Sequence, residues 1–271
     1  MHHILANNVT GAAATTDLDT PAIADPSFTS RNGHWIFTEP YRLLAAGGFG
    51  ATLSKFRLSS PTLDQMGQPN VLPLNHALNP PSPMNIMDCR NIPFPLPNDE
   101  EIRVLLSMNA IEQDSAFMLV APPEWTQQIP APGQIAGVNP YRILVRTSQS
   151  ITLVAQNWSA DSALTFDQLP RGGWYLVVGA WAAGTNVQAF RLNFPRYELV
   201  RGRKLFPGAI AMASDNDFHY PRFEQDAGVW GKFHTFEPPF VSAFGSAAGA
   251  QTVRVYLDII FAGAGPRDAP Y

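Results

Sequence analysis

One cysteine, three lysines and no long apolar run set the first limits on this 271-residue chain. The lone Cys89 excludes an intrachain disulfide and a cysteine-rich metal site. Charge is scarce: Asp, Glu, Lys and Arg make up 15% of residues, against roughly 25% in an average soluble protein, so much of the surface has to be neutral. That suits a protein buried against copies of itself. It equally fits a compositional bias of the source, since arginine outnumbers lysine 15 to 3. Net charge is −4 and no run of basic residues occurs, so the arm that neutralises nucleic-acid phosphate is missing and direct nucleic-acid binding is not expected. No stretch reaches the roughly 18 apolar residues of a membrane span. The first residues, Met-His-His-Ile-Leu-Ala-Asn-Asn, lack the charged and apolar regions of a secretion signal. Helical periodicity is lacking too, and the nine prolines from Pro61 to Pro97 exclude a long helix there.

What the chain does have is a repeat. Tyr41 to Pro61 returns 134 positions later as Tyr175 to Pro195, with Tyr41/Tyr175, Ala46/Ala180, Gly50/Gly184, Phe56/Phe190, Arg57/Arg191, Leu58/Leu192 and Pro61/Pro195 identical. Seven matches in 21 positions exceed the one or two that chance supplies. Apolar character carries over at Leu43/Val177, Leu44/Val178 and Leu53/Val187, and Val71-Leu72-Pro73 meets Leu205-Phe206-Pro207 at the same step. The chain therefore reads as two copies of one unit. Val253 to Leu257 also resembles Ile102 to Leu106 at a step of 151, which would mean that the intervening loops have lengthened in the second copy.

Short runs of β-branched and aromatic residues between proline and glycine clusters point to an all-β chain. Strands are expected at His34–Leu44, interrupted by Pro40, and at Leu53–Leu58. Glu101–Met108 and Ala116–Ala121 read as a hairpin, and Tyr141–Val145 and Ile151–Gln156 as two strands joined at 146–150. Further strands are expected at Trp174–Ala180, Asn186–Phe194 and Thr252–Phe261, with an irregular stretch from Gly208 to Gly249. The glycines at 47, 48 and 50 suggest a turn or a bulge. About eight strands in 130 residues is the size of a jelly roll or a similar sandwich. The expected organisation is an N-terminal arm at 1–30, a first jelly roll at 31–135 and a second at 136–271, with long proline-rich loops and a linker at 122–140.

No residue pattern demands chemistry. A cupin-type metal site needs a His-x-His pair, which is missing; His219 with Glu224 and His234 with Glu237 are the nearest arrangements, and loop hydrogen bonding is the simpler use for them. Asp215-Asn216-Asp217 clusters oxygen ligands but lacks the glycine and distal Glu of a calcium loop, and Asx residues are common turn formers. Phe244-Gly245-Ser246 is no nucleophile elbow. Cys89, between Asp88 and Arg90, has no evident His partner and reads as an inert thiol. Trp125, Trp158, Trp181 and Trp230 lie near loops, where such rings serve as sugar platforms or, more simply, as packing. Arg57 and Arg191 share one register, either as solvated outward residues or in a salt bridge or inter-unit contact. No catalytic, cofactor or metal residue is assigned, and an enzyme is not expected.

On the repeat from Tyr41–Pro73 to Tyr175–Pro207 and the strand-rich texture over 30–265, the chain resembles the major capsid proteins of the double jelly-roll lineage of tailless icosahedral viruses. The resemblance implies a double jelly roll that trimerises into pseudo-hexagonal capsomers and assembles an icosahedral shell, made in host cytoplasm and located in the virion. Its partners would be copies of itself, minor capsid or penton proteins, and an internal viral membrane. Two other classes compete: a carbohydrate-binding or adhesin-like β-sandwich, and a bicupin-type metalloenzyme.

Overall fold

The repeated stretch folds as two consecutive strands in each copy. In the computed structural model these are β6 (Tyr41–Phe49) and β7 (Leu53–Ser59) in one copy and β15 (Trp174–Ala183) and β16 (Val187–Asn193) in the other. The structure describes residues 2–8, 14–20, 22–23, 29–31, 34–49, 53–65, 71–73, 87–108, 114–124, 142–166, 169, 172–195, 204–209 and 229–264. The chain divides into two compact units, the first containing Met1–Trp125 and the second Thr126–Ala211 with Arg222–Tyr271.

Around β6 and β7 the first unit places β1 (His2–Asn8), β2 (Ala14–Thr20), β3 (Ala22–Ile23), β4 (Thr29–Arg31) and β5 (His34–Ile36) before them. After them come the five-residue helix α1 (Pro61–Gln65), β8 (Val71–Pro73), β9 (Met87–Asp88), β10 (Phe94–Leu96), β11 (Glu101–Met108) and β12 (Asp114–Ala121). In the second unit β13 (Arg142–Leu153) and β14 (Ser162–Ala163) precede β15 and β16, and β17 (Lys204–Ala209), β18 (Gly231–His234), β19 (Phe240–Gly245) and β20 (Gly249–Gly263) follow.

The pairing is that of an antiparallel ribbon rolled on itself. In the first unit β1 pairs with β12, β2 with β11, β6 with β9 and β10, and β7 with β8. The second unit repeats this as β13 with β20, β14 with β19, β15 with β18, and β16 with β17. Rolling brings β12 against β6 and β11 against β7, and likewise β20 against β15 and β19 against β16. Four nested pairs closed in this way make a jelly roll, so the chain is a double jelly roll. A short parallel contact from Ala182–Ala183 of β15 to Gly208–Ala209 of β17 adds to the second unit.

The repeat survives at the level of register. Arg57 faces Val71 as Arg191 faces Leu205. β6 carries a bulge at Leu44, where partners skip from Leu119/Ala45 to Val120/Leu43; β15 carries one at Val178, where they skip from Val177 to Gly179. Those positions lie 134 apart and both side chains are buried. A bulge adds one residue to one strand, increasing its twist and bending it, so both sandwiches bend their third strand at the same point.

Several sequence expectations are revised. β11 and β12 do not form a hairpin: β11 pairs with β7 and β2 and β12 with β6 and β1, so their connection crosses between the sheets. The 151 step is therefore a false equivalence. β20 corresponds to β12, since Leu43 faces Val120 and Val177 faces Ile259, while β11 corresponds to β19 through Arg57 facing Leu105 and Arg191 facing Ser242. Both misreadings arise because consecutive core strands carry the same apolar texture in whichever sheet they lie. Residues 142–153 form one strand, not two, and the region 208–249 contains β18 and β19. The bulge of β6 is at Leu44, and the strand runs on through Gly47 and Gly48. Within residues 1–30, where an arm is expected, β1 and β2 supply the outermost pairs of the ribbon. The expected linker lies mostly outside the described residues.

Alternation builds each core. In the first unit Ile102, Val104 and Leu106 of β11 point inward with Leu58, Met118 and Val120 and with Trp35. In the second, buried Tyr175 stacks on Phe233 at 5.7 Å and meets Phe261 edge-on at 5.3 Å. Each such ring contributes about 1.5–3 kcal/mol by leaving water.

Candidate functional site

Strands β7 and β16 each carry Phe-Arg-Leu, and strand alternation dictates opposite fates for neighbours. Leu58, Phe190 and Leu192 are buried while Arg57 and Arg191 are half-buried on the outer face. The two arginines are held differently. Arg57 makes an ion pair with Asp64 of α1 through Nη2. Arg191 donates from Nε to Ser242 Oγ at 2.7 Å and places its guanidinium 4.4 Å from the centroid of Trp158, which meets Phe244 edge-on at 5.5 Å. Both arginines are thus engaged inside their own unit. The salt-bridge expectation holds for Arg57, and a cation–π contact takes its place at Arg191.

The densest polar cluster of the described residues surrounds α1. Ser60 caps the helix, its Oγ accepting the Leu63 N–H at 3.2 Å and donating to Glu100 Oε1 at 2.9 Å, and Pro61 occupies the first helical position. Glu100 Oε2 accepts the Thr62 N–H at 3.1 Å. Ser59 donates to Asp64 Oδ2 at 2.8 Å. His34 of β5 meets Glu101 of β11 through Nδ1 and Oε1. A cleft of about 340 Å³ opens here, lined by Ser60, Pro61, Asp64, Glu101 and Arg103. Its walls mix two carboxylates with one guanidinium, so it offers polar contacts of both signs. Sequence reading passed over the cluster because its members are 67 positions apart at the extreme, His34 to Glu101. Ser60-Pro61, a cap residue followed by proline, was the available signal.

The Asp64 carboxyl is held below the ordinary aspartate range, first by the Ser59 hydroxyl and then by Arg57, with burial opposing. A lowered folded pKa means that ionised Asp64 stabilises the fold above the unfolded value, about 3.9, and that this contribution disappears as pH falls through the lowered value. Asp64 is exposed to solvent. Asp64→Asn should therefore cost under about 1 kcal/mol at pH 7, and urea titrations should show wild type and variant converging as pH falls below the ordinary aspartate range. A gap that persists in acid would assign the cost to packing instead of charge.

In the second unit Lys232 sits 4.9 Å from the Trp174 ring centroid, and burial lowers its pKa. His234 is buried, edge-on to Trp174 at 5.1 Å, and its Nδ1 accepts the Phe236 N–H at 3.3 Å. Glu237 donates its backbone N–H to the His234 carbonyl at 2.8 Å, so the two stand together at a tight turn. Among the described residues, no three His, Cys, Asp or Glu side chains converge to hold a metal ion. The Ser246 hydroxyl donates to the Asn186 carbonyl at 3.4 Å, joining two turns. Cys89 is half-buried, with its N–H on the Leu44 carbonyl at 2.7 Å. Trp230 is buried, and Trp158 has one face covered by Arg191, so both serve packing. Gly184 lies in the turn after β15, where a Cβ would come within 3.0 Å of Val187 Cγ2. Gly50, His76, Trp125, Asp215, Asn216, Asp217, His219, Glu224 and the side chains of His2, His3 and Trp181 lie outside the described residues.

No protein-family model matches the chain, and no curated protein does. Matches among solved structures include the crystal structure of the major capsid protein P2 from Bacteriophage PM2, at 9% identity and a TM-score of 0.22, covering 95% of this chain and 96% of that one. A chain from the atomic structure of Sulfolobus Turreted Icosahedral Virus matches at 11% identity and a TM-score of 0.20, covering 95% of this chain and 90% of that one. The fold assignment rests on the strand order described above.

Proposed function

We propose that this chain is a structural subunit of a viral shell, a capsid protein that associates as a trimer and tiles an icosahedral capsid. The observation that carries this reading is the doubling itself. One protomer holds two rolled ribbons with the same pairing, the same outward arginine and the same bulge. Three such protomers around an axis present six near-equivalent sandwiches, so a three-fold particle occupies a six-fold lattice position and one sequence can cover a closed surface. A chain with only 15% charged residues has little charge to spread over its surface, which favours burial between copies over isolation in solvent.

On this reading the work is mechanical and no reaction is catalysed. Many interfaces, each of ordinary size, sum to a stable shell. The partners are neighbouring copies, minor or penton proteins at the vertices and a membrane beneath the shell, and the protein resides in the virion. The two jelly rolls act as separate domains joined within 122–140.

Size-exclusion chromatography with light scattering, followed by electron microscopy of concentrated protein, tests the proposal. Trimers that convert to closed particles are expected. A monomer that stays monodisperse at millimolar concentration would overturn it.

A further inference from the structure

Sheet edges in this protein are mostly blunted. Among the described residues β3, β4, β8, β10, β14 and β18 are terminal or side strands of two to four residues, β8 ends in Pro73, and Pro95 interrupts β10. Short edges and prolines are how natural sheets avoid pairing with other chains. β2, a seven-residue edge beside β11, is broken by a register shift; β13 is the long edge with no such break. It ends its sheet, runs for 12 residues without proline or glycine, and pairs with β20 at 12 consecutive positions with no bulge. An antiparallel strand of this length turns the N–H and C=O of alternate residues, about six, away from β20, its one strand partner among the described residues.

Among the described residues, the side chains of β13 leave that edge clear. Ile151 and Leu153 are buried, and the inward polar residues have found partners: Thr147 donates to the Thr165 carbonyl at 2.6 Å and Gln149 Nε2 to Thr165 Oγ1 at 3.3 Å. The outward row of Arg146, Ser148, Ser150 and Thr152 is exposed and, apart from Arg146, neutral. The nearby edge strand of the opposite sheet, β14, has only two residues, so an incoming strand would meet no second sheet at that depth.

We infer that the β13 edge pairs antiparallel with β13 of a second copy across a two-fold axis, joining two four-strand layers into one continuous sheet. A two-fold normal to the sheet keeps outward residues opposite outward ones, so the axis must pass through a residue and not between two. Centring on residue 144 would set Arg142 against Arg146, and centring on 146 would set Arg146 against itself; both oppose like charges. Registers centred on 147, 148 or 149 avoid this and use most of the strand. The neutral row then lies against itself, with Ser148 facing itself, Ser150 or Arg146. The inference rests on the shell-subunit reading, for which a two-fold strand contact would link neighbouring capsomers.

Cysteine cross-linking tests it in the full-length chain with Cys89→Ser as background. Ser148→Cys alone reports a register centred on 148; mixing it with Ser150→Cys reports 149, and with Arg146→Cys reports 147. Thr185→Cys, exposed in the turn after β15, is the control. Pairing should raise disulfide-linked dimer at least about tenfold over the control, because contact sets a millimolar effective concentration. The double variant Ser148→Glu/Ser150→Glu should abolish that contact with its melting temperature unchanged. Cross-linking at control level in all three arrangements overturns the inference, whether or not trimers and particles form. Cross-linking in a protein that makes no trimer keeps the β13 contact and overturns the shell reading.

Discussion

Replacing Phe190 with alanine should remove about 3–5 kcal/mol from the second unit, the range for emptying a fully buried aromatic site. Phe190 is completely buried at the centre of β16, opposite Ala243 of β19 on one side and Phe206 of β17 on the other. Neighbours on two flanking strands are fixed by backbone pairing, so the walls cannot collapse into the space and the cavity persists. For a unit of this size the loss corresponds to a fall in melting temperature of roughly 10–20 °C, read by calorimetry or urea denaturation. Arg191→Ala, one position along on the outer face, should cost about 1–2 kcal/mol, from the hydrogen bond to buried Ser242 and the contact with Trp158. Equal losses at the two positions would contradict the inward-outward alternation on which the core is built.

The second large effect is expected at Gly173, just before β15. Its φ is +143°, and a Cβ there would lie 2.3 Å from the Gly263 carbonyl oxygen and 3.0 Å from Ala264 Cα. Both obstacles are backbone, so no side-chain rotation relieves them. Gly173 is also held on both sides: its N–H donates to Thr235 Oγ1 at 3.2 Å and its carbonyl accepts the Thr235 N–H at 2.9 Å. Gly173→Ala must therefore strain φ, push β20 away from β15, or break the tie to the turn after β18. A cost of about 2–4 kcal/mol is expected. Gly172→Ala is the internal control, since nothing lies within 4 Å of a Cβ at that position, and it should change stability by less than about 0.5 kcal/mol. Similar stabilities for the two variants would show that the close approach to Gly263 is not a constraint.

Duplication made much of this fold legible in the sequence. A single strand pattern is ambiguous, but Tyr41–Pro61 matched against Tyr175–Pro195 located β6, β7, β15 and β16 together, and the Leu-Pro and Phe-Pro pairs downstream, where no strand was assigned, fall at equivalent positions of β8 and β17. Pairing between strands was not legible. Ile102–Leu106 and Val253–Leu257 look alike because both fill a core, yet one strand lies beside β7 and the other beside β15. β18 was missed because four residues beginning with glycine show no period, and β19 because residues of both faces, Val241, Ser242 and Ala243, are buried. The polar cluster at α1 was invisible for a related reason: Ser60 meets Glu100, and His34 meets Glu101, only after the ribbon has rolled.

The shared bulge orders events in time. An extra residue at Leu44 and another at Val178, 134 positions apart and both buried, are the same irregularity at equivalent points of the two units. If the units arose by duplication, the bend of this strand was present in the single sandwich before it was doubled. α1 with its polar cluster, the β4–β5 hairpin and the long straight edge at β13 were each described in one unit only. They record what the two halves became once each was free to diverge.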